Sequence, residues 1–337
     1  MIELPAEVQN KLLALGDVGA RWMEGLGDLV SVIEREWGVQ LGATLHGGSE
    51  AYVGQAAYVG QAASVGHAAD VGHAADVAQA VVKAGGACVV KLLLPSQSGI
   101  EREIQALRIA GGRGYVTLLR YDMARRAMLL EQLGTPLSAL GLPSRTQMKI
   151  ICATLQRSWV QVPERAVDGD ALMTGAAKGT YLRDFIIATW ESSGRPCSAR
   201  AIEQAREFAQ ARIAAFDPLT SVLVHGDAHS SNTLQVIGAA SGDIDAFKLI
   251  DPDGLLAEPA YDLAIPMREW SEELLAGDAL QLGRERCAYL SWLTDVDAVA
   301  IWQWGFLERM STGLYLLQLG YRDAGLDMLR VAELWAA

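Results

Sequence analysis

From Leu41 to about Glu131 the hydrophobic period of this chain is short, and its change to helical spacing near Pro136 limits the folds open to it. Before it, apolar residues alternate in short runs, and residues 78–83, 87–94, 116–121 and 127–133 read as strands separated by turn signals such as Gly85-Gly86. One helical stretch, 99–110, interrupts them. After Pro136 the spacing is helical over 147–159, 182–192, 199–215, 258–275, 280–293 and 296–319. Residues 5–37 read as two amphipathic helices broken near Gly16. The expected organisation is α+β: N-terminal helices (1–37), a small β-rich lobe (38–131) and a larger helical lobe (132–337).

Residues 51–80 do not fit an ordinary domain. They read AYVGQA, AYVGQA, ASVGHA, ADVGHA and ADVAQA, five near-identical hexapeptides. Removing 54–77 joins Ala51-Tyr52-Val53 to Ala78-Gln79-Ala80 and restores a strand–turn–strand, so the array reads as a repeat expansion inside a loop. Its phrasing also resembles the rung of a left-handed β-helix. Thirty residues make under two coils, too few to bury a continuous core. His67 and His73 within it lack a supporting cluster of metal ligands.

A composition of 51% hydrophobic and 20% charged residues excludes a mostly disordered chain. No apolar run approaches the ~20 residues of a membrane-spanning helix. The start Met1-Ile2-Glu3-Leu4-Pro5 lacks the pattern of a secretory signal, so a cytoplasmic location without a membrane partner is expected. Cys88, Cys152, Cys197 and Cys287 have no CxxC spacing and read as reduced core thiols. With 28 Lys+Arg against 40 Asp+Glu, the net charge of −12 repels phosphate backbones, so no nucleic-acid partner is expected. The same charge suits a cationic small molecule. It is also what solubility alone gives many enzymes.

The most specific signal is His225-Gly226-Asp227-Ala228-His229-Ser230-Ser231-Asn232, which follows the apolar run Val222-Leu223-Val224. Phosphoryl transfer to a hydroxyl calls for such a pair: Asp227 orients the acceptor and takes its proton, and Asn232 reaches a magnesium ion on the phosphates. With only five His in the chain, a chance match to H-x-D-x-x-x-x-N is rare. Nineteen residues past Asn232, Phe247-Lys248-Leu249-Ile250 delivers Asp251 at a strand end, followed by Pro252-Asp253-Gly254, the setting of a metal-binding carboxylate. Lys91 stands alone in an apolar strand and needs a carboxylate partner. Glu101 and Glu103 on the next helix are candidates, and Glu103 is preferred because Ile104 and Leu107 beside it face the core. His46-Gly47-Gly48-Ser49-Glu50 is a Gly-rich turn whose amides suit phosphate. Leu129 to Gly134, including Glu131 and Leu133, is placed by position as the hinge that reads adenine.

In this order the parts resemble the aminoglycoside/hydroxyurea antibiotic phosphotransferases of the streptomycin 6-kinase type. His225–Asn232 is similar to the family's HGDxHxxN and Ile250–Gly254 to its IDPDG. The similarity extends to Gly47–Ala51, Val90-Lys91-Leu92, Glu101-Arg102-Glu103, Leu129-Leu130-Glu131 and Glu258–Ala264. It implies a protein-kinase-like bilobal fold and ATP- and magnesium-dependent phosphorylation of a small-molecule hydroxyl. Asp227 is then the catalytic base, Asn232 and Asp251 the metal ligands and Lys91 the phosphate-pairing lysine, with Gly47, Gly48, Ser49, Glu103, Glu131 and Leu133 at the nucleotide. His225 and Asp262 give structural support, Asp262 bracing the catalytic loop.

The first expectation for the acceptor is a cationic aminocyclitol such as streptomycin, attracted by Glu258, Glu269, Glu272 and Glu273. A neutral acceptor, hydroxyurea or a metabolic alcohol, is the alternative. A reading of another class makes the chain an interaction protein that uses its array on a kinase scaffold. Asp251-Pro252-Asp253-Gly254 in place of D-F-G argues against a protein kinase. Most tryptophans lie on apolar helix faces and read as core, with Trp270 a candidate for stacking on substrate.

Overall fold

The computed structural model describes residues 2–46, 48, 50–59, 86–95, 99–162, 172–240 and 242–336. They fall into two units, Met1–Gly134 and Thr135–Ala337. In the first, helices α1 (Ala6–Ala14) and α2 (Asp17–Trp37) flank Gly16. Leu26, Val30, Ile33 and Trp37 recur at helical spacing and form the buried stripe of α2. The helix stops at Gly38, left-handed, whose N–H caps the Glu34 carbonyl. The stripe packs on Val90, Leu92 and Leu129 of an antiparallel sheet. Its strands are β1 (Val39–Thr44), β2 (Ala51–Tyr58), β3 (Ala87–Leu93), β4 (Leu118–Asp122) and β5 (Ala127–Glu131), in the order β1–β2–β3–β5–β4. Helix α3 (Ile100–Ala110) lies between β3 and β4 in the chain.

The start of the repeat array is strand, not loop. Gly54, Gln55, Ala56 and Ala57 pair with Val90, Val89, Cys88 and Ala87 of β3, and Ala56, Ala57 and Tyr58 pair with Leu41, Gln40 and Val39 of β1. The alternation of AYVGQA suits a pleated strand. At the end of β2 nearer β1 in the chain, Leu45 N–H bonds the Val53 carbonyl at 2.8 Å. The chain leaves β2 at its other end, roughly 20 Å away at 3.3 Å per residue. Residues 60–85, with the rest of the array, His67, His73 and the strand expected at 78–83, lie outside the described residues. Gly47 and Ser49 do too.

The second unit is mainly helical. After a 3-10 turn (Leu137–Leu140) come α4 (Ser144–Ser158), β6 (Met173–Thr174), α5 (Gly175–Ser192), α6 (Ala199–Ala214), β7 (Val222–Val224), β8 (Thr233–Gln235), β9 (Phe247–Leu249), β10 (Leu255–Ala257), α7 (Ala260–Arg268), α8 (Ser271–Leu275), α9 (Ala279–Thr294), α10 (Ala298–Gln318) and α11 (Arg322–Trp335). Thr174, Ser198, Asp278 and Asp297 cap α5, α6, α9 and α10 with side-chain oxygens on early N–H groups. Helix α10 buries Trp304, Phe306, Leu307, Met310 and Leu314 and packs against α5, α6, α7 and α11. No helix among the described residues is long and apolar enough to cross a membrane.

The helix expected over 258–275 is two helices. Pro266 removes one ladder donor, and Trp270 takes left-handed angles, with φ at 52°. Buried arginines take the carbonyls a continuous helix would use: Arg286 bonds those of Pro266 and Glu269, and Arg309 those of Met267 and Glu269. Helix α11 lies beyond the last expected helix. Its buried Leu329, Ala332 and Trp335 keep helical spacing to the end.

Candidate active site

Strand β7, fully buried, delivers the chain to His225. Gly226 follows with φ at 94°, and a side chain there would run into Leu255 and meet Asp253 Cβ at 2.7 Å. His225 is stitched on every polar atom. Its N–H donates to Asp262 at 3.0 Å and its carbonyl accepts from Asp253 N–H at 2.9 Å. Nδ1 accepts the Asp227 N–H at 3.1 Å, which places the ring proton on Nε2, 2.8 Å from the Ile250 carbonyl. Burial pushes the His225 ring below its ordinary pKa, which suits a neutral imidazole in that role.

Asp262, near the start of α7, is buried. It also accepts the Gly226 N–H at 2.8 Å and the Trp159 indole N–H at 2.9 Å. Burial pushes its carboxyl up, against the pull of His225 and these donors. The Asn232 amide nitrogen donates to the Asp227 carbonyl at 3.1 Å, so the amide oxygen is its remaining acceptor. Pairing of β8 with β9 brings Asn232 beside Asp251: Thr233 opposes Leu249, and Ile250 N–H bonds the Asn232 carbonyl at 3.0 Å. Asp251 is exposed and left-handed, with φ at 58°, a backbone state uncommon for a residue other than glycine. One carboxylate and one amide oxygen on adjoining strand ends fit magnesium, which takes oxygen ligands and shares them with phosphates.

Sequence reasoning does not single out Arg268, the last residue of α7. Its Nη2 donates to Asp227 Oδ1, and His229 Nε2 lies 3.4 Å from Oδ2. Burial alone would raise the Asp227 carboxyl, but Arg268 and His229 outweigh it and hold the group well below the usual carboxylate range. Arg268 Nη1 reaches Glu308 at 3.1 Å. The available signal was Glu308-Arg309 inside the apolar helix α10, since buried charges there require partners.

In the first unit, Lys91 of β3 and Glu103 of α3 form an ion pair at 2.6 Å, each side chain 9% exposed. Glu131 accepts the Thr117 N–H on its carboxylate at 2.9 Å and donates its own N–H to the Thr117 carbonyl at 3.0 Å, so both its side chain and its main chain tie β5 to the residues before β4. Leu133 lies just past β5 in irregular chain, and Gly48 is exposed with open space where a Cβ would stand. Of the carboxylates expected to attract a cation, Glu258 is held by Arg212 and Trp304, and Glu273 by Ser144. Glu272 is exposed on α8, and Glu269 lies beside Arg268, 3.7 Å from its Nε. Arg286 stacks over the Trp270 ring at 5.5 Å. Trp304 is buried in the core, whereas Trp292 is 77% exposed.

The model of the family described as aminoglycoside/hydroxyurea antibiotic resistance kinase matches residues 65–314. A hydroxyurea phosphotransferase from Kitasatospora aureofaciens is 26% identical over 300 residues, 85% of this chain and 76% of that protein. The apoenzyme of a macrolide 2'-phosphotransferase from Brachybacterium faecium is similar with a TM-score of 0.54 at 15% identity, over 91% of this chain and 98% of its own. A spectinomycin phosphotransferase, solved with ADP and spectinomycin, gives 0.51 at 12% identity, over 92% and 93%. The fold is the protein-kinase-like one of these enzymes.

Proposed function

The chain belongs to the aminoglycoside/hydroxyurea antibiotic resistance kinase family, a phosphotransferase acting on hydroxyl groups, and on that premise we propose that it moves the γ-phosphoryl group of ATP, with magnesium, to a small neutral acceptor of the hydroxyurea kind. The observation that carries this reading is the stitched loop in which His225, Asn232 and Asp262 hold Asp227 and the Asp251 turn together. The acceptor oxygen attacks the γ-phosphorus and a P–O bond forms. The bond to the β–γ bridging oxygen breaks, and its electron pair leaves with ADP. The hydroxyl proton passes to the Asp227 carboxylate and then to solvent.

Asn232 and Asp251 are the proposed magnesium ligands. Magnesium, when bound, neutralises charge on the phosphate oxygens. Lys91, oriented by Glu103, pairs with the α- and β-phosphates. The turn of Gly47, Gly48 and Ser49 covers them, and the backbone from Glu131 to Leu133 meets the adenine. A neutral acceptor agrees with the carboxylates: Glu258 and Glu273 are engaged elsewhere, and hydroxyurea phosphotransferase is the activity named for the curated relative. A cationic aminocyclitol is the second reading, favoured by Glu269 beside Asp227's partner Arg268.

Incubation with γ-labelled ATP and magnesium, against hydroxyurea and streptomycin separately, tests both. Label is expected on hydroxyurea, lost with EDTA and in Asp227→Asn. Transfer to streptomycin alone, with a KM that rises with salt, would put the second reading in place of the first.

A further inference from the structure

Asp227 has a partner that the transfer as described above leaves without a part. Arg268 sits on Oδ1, and its side chain is 14% exposed. The guanidinium is held from behind by Glu308 Oε2 at 3.1 Å, and the Tyr261 hydroxyl donates to the other oxygen of Glu308. Glu308 is 4% exposed and belongs to α10, the helix around which the unit packs. The turn just after Arg268 is pinned in turn by Arg286 and Arg309 on the carbonyls of Pro266, Met267 and Glu269. All three guanidinium nitrogens face carboxylates: Asp227, Glu308 and Glu269. Arg268 is therefore built to hold a carboxylate, not to bind a substrate.

We propose that Arg268 is the positioning residue of the transfer: it fixes Oδ1 of Asp227 so that Oδ2 faces the acceptor hydroxyl and receives its proton. This rests on Asp227 being the proton acceptor, as read above. A carboxylate without such a partner turns about its last torsion and offers either oxygen. A planar donor on Oδ1 fixes the plane, and its anchor in α10 fixes the donor. A cation on the base lowers its proton affinity. That loss is tolerable where the transition state is loose and the hydroxyl proton leaves late, because placement of the oxygens then matters more than basicity. His229 Nε2, 3.4 Å from Oδ2, is the other group on this carboxylate.

The test compares wild type with Arg268→Ala, Arg268→Lys, Glu308→Gln and Asp227→Asn. Thermal melting, transfer from γ-labelled ATP to hydroxyurea or streptomycin, ATP hydrolysis by water and crystal structures are measured for each. Arg268→Ala is expected to lower kcat by about 100-fold, the scale of a small misplacement at the reacting atoms, with the ATP KM within about twofold. Arg268→Lys recovers part of it, and in Arg268→Ala the Asp227 carboxylate is turned from its wild-type plane. A kcat within about threefold of wild type, an unmoved carboxylate, or a raised acceptor KM at unchanged kcat overturns the proposal. Should Arg268→Ala fail to fold, Glu308→Gln carries the same readouts with about a tenfold fall. If neither acceptor is phosphorylated, hydrolysis by water and the carboxylate's position decide. An active Asp227→Asn overturns the underlying reading, whereas an inactive Asp227→Asn with a fully active Arg268→Ala overturns this inference alone.

Discussion

Asp262 accepts the backbone N–H of His225 at 3.0 Å on one carboxylate oxygen, while its other oxygen takes the N–H of Gly226 at 2.8 Å. A helix thereby fixes a loop by its main chain, which leaves the loop's own side chains for other work. Asp262→Ala would leave those two amides and the Trp159 indole N–H buried without their acceptor. The expected loss is about 3 kcal/mol or more in urea unfolding, together with a fall in kcat. Asp262→Asn, with one acceptor oxygen where two are used, should fall between. A loss below about 1 kcal/mol in the alanine variant would mean that the loop holds its shape without Asp262.

The Lys91–Glu103 pair, 2.6 Å apart and nearly buried, invites a comparison of single and double changes. Glu103→Ala leaves an ammonium in the sheet without its carboxylate and should cost about 3–5 kcal/mol. The double change Lys91→Met with Glu103→Leu should recover most of that stability. If nucleotide binding needs Lys91, the double variant still shows a raised KM for ATP. Equal stability of the single and double variants in denaturant would show that the pair is not coupled.

All four cysteines are buried thiols. Burial pushes Cys88 up to about 11 and Cys152, Cys197 and Cys287 to about 12. Thiolate is the reactive form, so the native protein should resist a thiol-specific disulfide reagent at pH 8 and react fully once unfolded. The sign for stability follows. Above about pH 8.5 the unfolded thiols lose protons while the folded ones keep theirs, so stability falls as pH rises through that range. Rapid native labelling of Cys152 would contradict the packing described around it.

The candidate segment was legible as a unit because its residues are close in sequence. Asn232 stands five residues past Asp227, and the apolar runs Val222–Val224 and Phe247–Ile250 lead into His225 and Asp251. Asp262 was legible through the resemblance alone, since nothing in the spacing of α7 tells a bracing carboxylate from a surface one. Arg268 was not legible, because its partners stand 41 residues before it and 40 after it. Such a triad exists only once α7 and α10 are packed. The break at Trp270 has the same origin: side chains from α9 and α10 capture the carbonyls, and neither contact is recorded near residue 270. In the first unit, alternation alone did not show that Gly54 to Tyr58 would stand in a strand between β1 and β3, since their repeat phrasing read as a loop insertion.

The two tyrosines of β2 say something about how an array of this kind can drift. Tyr52 and Tyr58 are the second residues of two successive identical units. Tyr52 lies in the core beneath α2, and Tyr58 packs against it. Six is even, so both point to the same face of a pleated strand. The later units carry Ser64, Asp70 and Asp76 at that place, residues that suit no apolar core. Slippage that deletes one AYVGQA copy would set Tyr58 in the berth of Tyr52 and Ser64 in that of Tyr58, with every face preserved. Loss or gain of whole units thus keeps the alternation of faces, while the number of AYVGQA copies decides whether a tyrosine or Ser64 stands where Tyr58 now packs.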